Sequence, residues 1–296
     1  MSAYPALIIC LSALLHASWN LVGKRQGEGP AFLALATVVP GVILLPQVVV
    51  SPLATLPAMF WWLLAASGFF QVLYVVALSH AYRAGDIGTV YPLARALPVL
   101  LVALVGAALG KHLPPLVWLG LIVLTTGCLM VPLHGFKQWS WRNYVNPTCA
   151  WALLTAVGVM GYSLVDNAAL AVIDKSVSTM PAMRQSLLFL ALQSLTVALW
   201  LAPALALVSA RQSLRKVLNQ PLPVIQAGAL IGITYGLVLY AMTMTENVTY
   251  VVALRQLSIP IGLVLGIFWL GERAYKPRLI GALLVCVGLV VTNSVG

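Results

Sequence analysis

Long apolar runs broken by short polar punctuation recur from one end of the chain to the other. With charged residues, prolines and polar clusters taken as breaks, the pattern predicts helices over 3–22, 31–50, 59–82, 87–110, 115–133, 147–166, 182–208, 222–244, 248–270 and 277–294. Runs of about 20 residues, at ~1.5 Å per residue, cross a hydrocarbon core of about 30 Å. Backbone polar groups find no water in lipid, so such runs are expected as helices, and the alternation that marks a membrane barrel is absent. The first run, Ala3 to Val22, lacks a basic leading region and a clean A-x-A site, and is expected to be a retained helix and not a signal peptide.

The runs also repeat. A shift of 160 residues lays Ala81 on Ala241, Arg95 on Arg255, Leu97 on Leu257 and Gly106 on Gly266. One further residue of slip lays Leu109-Gly110 on Leu270-Gly271, Gly120 on Gly281 and Gly127 on Gly288. The expected fold is an all-α integral membrane protein of ten transmembrane helices in two five-helix repeats, residues 1–138 and 139–296. Five is odd, so the second repeat must cross in the opposite sense. Inverted repeats of this kind build alternating-access transporters around a central site.

Composition agrees: of 296 residues 61% are hydrophobic and only 7% charged, with a mean hydropathy of +1.00. The formal charge of +10 comes from sixteen Lys and Arg scattered between apolar runs, which suits loop anchoring at a bilayer and gives no nucleic-acid surface. Lys24, Arg25, Arg83, Lys137, Arg142, Arg211, Arg215, Lys216, Arg273, Lys276 and Arg278 follow the odd-numbered helices, against Lys111, Lys175 and Arg184 opposite. The positive-inside rule then puts both termini outside the cytoplasm. Cys10, Cys128, Cys149 and Cys286 lie inside apolar runs without a CxxC pair and are expected as small hydrophobes.

Candidate chemistry lies at the polar positions within the runs. Arg95 and Arg255 share a repeat position about two turns inside their helices, where an ionised group must face a cavity or a partner. Two such cations suit a carboxylate or phosphonate, and snorkelling is the structural alternative. Ser12, His16, Trp19, Asn20 and Gly23 form one polar stripe on the first helix. Tyr74, Tyr91, Tyr162, Tyr235 and Tyr240 fall on helices expected around the centre, with His80 and Gln256 as further candidate contacts. An aromatic lining favours an apolar or cationic group, whereas the arginines favour an anion; a zwitterion such as an amino acid meets both demands. Asp86, Asp166 and Glu246 fall near the ends of predicted helices, so no acidic residue is expected at the centre, and export of drugs or organic cations is the less favoured alternative. Gly228, Gly232, Gly236, Gly262 and Gly266 predict close helix packing, and Pro98 and Pro260 predict matching kinks beside the arginines.

Leu270-Gly271-Glu272-Arg273, followed by Leu279-Ile280-Gly281-Ala282-Leu283-Leu284, resembles the LGER…xxGxxLI signature of the EamA-like branch of the drug/metabolite transporter superfamily. Leu109-Gly110-Lys111-His112 with Gly120 is a degenerate copy. His16-Ala17-Ser18-Trp19-Asn20 with Lys24, and Tyr91-Pro92-Leu93-Ala94-Arg95, are similar to that branch's first and fourth helices. The resemblance covers essentially the whole chain. It implies a ten-helix transporter of small metabolites in the cell (inner) membrane, with a site between the halves and termini in the cytosol, opposite to the loop-charge orientation.

The expected activity is secondary transport, in the first instance export, of amino-acid-like zwitterionic or anionic solutes. The expected partners are that solute, the lipid bilayer and protons as a candidate coupling ion through His16, His80 or Glu246, and the chain is expected as a monomer or homodimer. No H-E-x-x-H, G-x-S-x-G or paired carboxylates are present, so an intramembrane enzyme is disfavoured, and no cofactor or metal is expected. A channel would need a selectivity ring, which a duplicated ten-helix chain does not offer.

Overall fold

The structure, a computed structural model, describes residues 2–23, 30–84, 87–133, 135–136, 147–205, 215, 217–219, 221–271 and 273–294. Within these, side chains are described except at 18–23, 30, 82–84, 87–93, 147–148, 204–205 and 270. The described residues contain helices and no strand.

The helices are α1 (Ala3–Gly23), α2 (Pro30–Ile43), α3 (Leu45–Val49), α4 (Ala58–Ala84), α5 (Ile87–Ala108), α6 (Pro115–Met130), α7 (Pro147–Ser176), α8 (Ala182–Leu205), α9 (Pro221–Met242), α10 (Val248–Leu254), α11 (Ser258–Leu270) and α12 (Lys276–Asn293). Six apolar helical stretches, Ala58–Ala81, Cys149–Ser176, Ala182–Pro203, Pro221–Met242, Val248–Trp269 and Lys276–Asn293, are long enough to cross a membrane, and four shorter apolar helices accompany them. Trp62, Leu199, Phe268 and Val290 each expose at least 70% of their surface. Side chains of this kind are stable facing hydrocarbon and costly facing water, and the chain is a multi-pass helical membrane protein.

Two interruptions follow from proline. Pro46 lacks the N–H that would continue α2, and the chain turns at Leu44 before α3 begins. Pro260 cannot donate to the carbonyl of Gln256, and Arg255–Leu257 form a 3₁₀ turn between α10 and α11. α5 stays α-helical through Pro98, without a 3₁₀ interruption like the one beside Pro260. Gly110 and Gly271 adopt positive φ of 84° and 65°, each ending an apolar helix. The repeated Leu-Gly pair is therefore a left-handed helix stop that an L side chain resists. Nothing lies within 4 Å of a Cβ placed on Gly271. Gly271→Ala is expected to cost about 1 kcal/mol through the backbone alone, read as a fall of about 2–4 °C in the unfolding midpoint.

α4 and α7 pack antiparallel: Gly158 lies on the backbone of Tyr74, Gly161 on the ring of Phe70, and Ser67 bonds Asp166. α1 and α9 pack antiparallel in the same way, through Ser12 Oγ donating to Thr234 O at 2.7 Å and the Tyr4–Tyr240 ring pair. α6 and α12 cross where Gly120 meets Gly288 and Gly127 meets Gly281. Exchanging the first five apolar segments with the second five turns the α4–α7 pair into α9–α1, α5–α7 into the 3₁₀–α11 segment on α1, and α4–α8 into α9–α2. The same exchange leaves α6–α12 and α2–α8 unchanged, and all of these pairs are present. Of the glycines expected to permit close packing, Gly228 and Gly232 do so against Ala36, Val39 and Pro40 of α2, whereas Gly236 and Gly262 have ordinary or open surroundings.

Candidate functional site

At the centre of these pairings lies a cavity of about 120 Å³, room for several waters or a small metabolite. α1 supplies Ser12 and His16, α4 supplies Gln71 and Tyr74, and α5 supplies Arg95. Tyr162 of α7, Tyr235 of α9 and Arg255 of the 3₁₀ turn complete its polar wall, and apolar side chains such as Leu190, Val197 and Ile231 form the rest.

The two repeat-related arginines face the same space but differ in their engagement. Arg95 Nη2 donates to His16 Nε2 across the α1–α5 gap, so this imidazole accepts at Nε2. Arg255 places Cζ 5.6 Å from the ring centre of Tyr235. Its Nη1 is buried without a hydrogen-bond partner among the described residues. Tyr74, Tyr162 and Tyr235 form a ladder of edge-to-face rings, with centroids 6.0 Å and 5.8 Å apart.

Behind the ladder lies a carboxylate. α7 does not end at residue 166 but continues to Ser176, so Asp166 sits well inside the helix and is fully buried. This corrects the expectation that no acidic residue is central. Ser67 Oγ donates to Asp166 Oδ1, and Gln193 Nε2 and Tyr235 Oη donate to Oδ2, the glutamine at 2.8 Å. Gln193 Nε2 also donates to Ser67 Oγ at 2.6 Å. Helices from both halves are thereby tied at one buried group. Three donors on a buried carboxylate offset the cost of taking it out of water.

Of the residues singled out from sequence, His16, Tyr74, Arg95, Tyr162, Tyr235 and Arg255 line the cavity. His80 does not: it is exposed, stacks on Trp151 at 4.6 Å and bonds Val76 O within its own helix. Tyr240 lies away from it against Tyr4, and Gln256 is buried with Nε2 on Val252 O at 3.3 Å. Trp19, Asn20 and Tyr91 lie outside the described side chains. Sequence reasoning missed Ser67, Asp166 and Gln193. Asp166 had one local signal, since the apolar run resumes beyond it from Ala168 to Ile173.

A wider cleft of about 500 Å³ at one end of the bundle carries Lys111, His112 and Glu246. All three are exposed, so water screens them and they cannot hold a solute as a buried charge does.

No family model and no curated protein matches this sequence. A solved structure described only as "Crystal structure of protein" is similar in fold: it aligns over 100% of this chain and 99% of its own, with a TM-score of 0.69 and 18% identity. That likeness concerns the fold alone.

Proposed function

We propose that the protein is a secondary transporter of small amino-acid-like solutes, zwitterionic or anionic, working by alternating access in a cell (inner) membrane. In this reading ten spans form two inverted five-helix repeats, 1–138 and 139–296, of the EamA-like drug/metabolite transporter type. The helix pairings that recur when the halves are exchanged support that architecture, as do antiparallel α4–α7 and α1–α9.

The observation that carries the substrate class is Arg255, whose buried Nη1 lacks a partner at the wall of a central cavity. A desolvated guanidinium of this kind is completed by a carboxylate, in a charge-assisted bond roughly twice as strong as a neutral one. The tyrosine ladder supplies apolar area for the rest of the solute. Buried Asp166 favours a second reading, export of organic cations. However, its oxygens already accept three hydrogen bonds and it does not line the cavity. Among the described residues the lining carries two arginines and no carboxylate, so its field favours an anion.

The test is the unfolding temperature of protein in lipid nanodiscs. L-phenylalanine near 100 times its dissociation constant is expected to stabilise the fold by about 2.7 kcal/mol, a shift of about 5–10 °C, and to be carried into proteoliposomes. Stabilisation by 2-phenylethylamine alone would overturn the carboxylate site in favour of cation transport.

A further inference from the structure

The buried carboxylate behind the tyrosines is not needed to hold a solute. Its hydrogen-bond directions nevertheless constrain what the cavity can do. Ser67 has one hydroxyl hydrogen, spent on Asp166, while its oxygen accepts from Gln193. Gln193 divides its two amide hydrogens between Ser67 and Asp166. Tyr235 spends its only hydroxyl hydrogen on Asp166 as well. All three partners donate, which is the pattern an ionised carboxylate requires.

Adding a proton to Asp166 makes one of these bonds redundant, because a carboxyl hydrogen then needs an acceptor. Gln193 Nε2 cannot accept. Ser67 is fully buried and already accepts from Gln193, and its displaced hydrogen would turn back to a carbonyl of its own helix, so a rearrangement there would not reach the cavity. Tyr235 is different: its oxygen can accept from the new carboxyl, and its ring lines the cavity, so its freed hydrogen can turn to whatever occupies that space. The same ring lies 5.6 Å from Arg255 Cζ.

We propose that Asp166 binds a proton together with a carboxylate-bearing solute, the Tyr235 hydroxyl turning from Asp166 to the solute carboxylate beside Arg255. This rests on the solute class proposed above and adds its coupling ion. The proton comes from solvent, ends on Asp166 Oδ2 and is released when the solute leaves; no other bond is made or broken. Electrostatics act in the same direction, since neutralising Asp166 leaves the Arg255 charge uncompensated until the solute arrives.

The titratable groups on segments packed against this stretch of α7 are Tyr74 on α4, Arg95 on α5, Tyr235 on α9 and Arg255 in the 3₁₀ turn, with Tyr162 on α7 itself. α8 presents Gln193 here and has Arg184 only in its first turn. His16 of α1 is held by Arg95. α1, the counterpart of α7 in the first half, contains no acidic residue, so the proton site breaks the repeat symmetry. A solute and proton that bind together travel together, and an inward proton gradient would then drive uptake, opposite to the export expected from the sequence.

The experiment is calorimetry of L-phenylalanine binding to the full chain in nanodiscs, in buffers of different ionisation enthalpy from about pH 5.5 to 8. Up to about half a proton taken up per ligand, with affinity about tenfold tighter at the acid end, is expected. Asp166→Asn, whose amide donates to Tyr235 as a protonated Asp166 would, should bind with the acid-end affinity at every pH and take up no proton. Tyr235→Phe should bind more weakly and without pH dependence, and it decides the matter if Asp166→Asn does not fold. Wild-type binding without proton uptake, or undiminished uptake in Asp166→Asn or Tyr235→Phe, overturns the proton site and leaves the solute reading standing. Binding of 2-phenylethylamine alone removes both.

Discussion

Arg255→Gln is expected to weaken binding of L-phenylalanine about 100-fold while the unliganded protein stays folded. A carboxylate at Arg255 would gain charge-assisted hydrogen bonds together worth about 3 kcal/mol, and glutamine can supply only a neutral donor. In the unliganded protein the arginine is held by a hydrogen bond to Tyr162 and by its place over Tyr235, at 5.6 Å, a contact worth about 1–2 kcal/mol. Losing that contact is partly offset, because Nη1 is buried without a partner and no longer has to be desolvated. Arg255→Lys should fall between the two, keeping the charge and losing the fork. Arg95→Gln should cost less binding than Arg255→Gln, because Arg95 already spends a donor on His16. Equal affinity of Arg255→Gln and wild type, measured by calorimetry on equally folded samples, would remove the carboxylate site.

The arginine pair was legible in the sequence because two features coincided: a cation inside an apolar run and its repetition 160 residues on. Depth along a helix was legible; azimuth was not. His80 lies six residues beyond Tyr74, about 240° around the helix, and Tyr240 lies five beyond Tyr235, about 140° around, so neither shares its neighbour's face. Asp166 was hidden for another reason. A carboxylate within a span looks like a helix end until its donors are known, and two of them, Ser67 and Tyr235, arrive from α4 and α9. The helix runs themselves were fixed by length and apolarity, which the bilayer demands of any spanning segment, and the largest boundary error fell at that same residue.

The glycine crossing of α6 and α12 gives the largest expected effect on stability. A Cβ on Gly127 would lie 2.6 Å from Gly281 O and 2.7 Å from Val285 N. One on Gly281 would lie 2.7 Å from Gly127 O and 2.8 Å from Val131 N. These obstacles are backbone atoms, which no rotamer change can move aside. Lipid offers no hydrophobic drive to hold helices together, so such close contact is itself the adhesive, and parting the helices forfeits it along the whole crossing. Gly127→Ala and Gly281→Ala should each cost about 1–3 kcal/mol, and Gly127→Leu should prevent recovery of folded monodisperse protein. The double alanine variant should lose less than the sum, because the first substitution opens the gap that the second needs. Gly262→Ala, whose Cβ would stand 4.0 Å from its neighbour, should be neutral or stabilising through helix propensity. Thermal unfolding of the four alanine variants in one detergent separates these cases. A crossing bound this closely would also limit the transport cycle proposed above, since α6 and α12 cannot slide without the same clash. In that proposed cycle, a rocking motion exposing Arg255 to each side in turn would take place around this pair, with α4, α5, α9 and the broken α10–α11 segment as the parts that move.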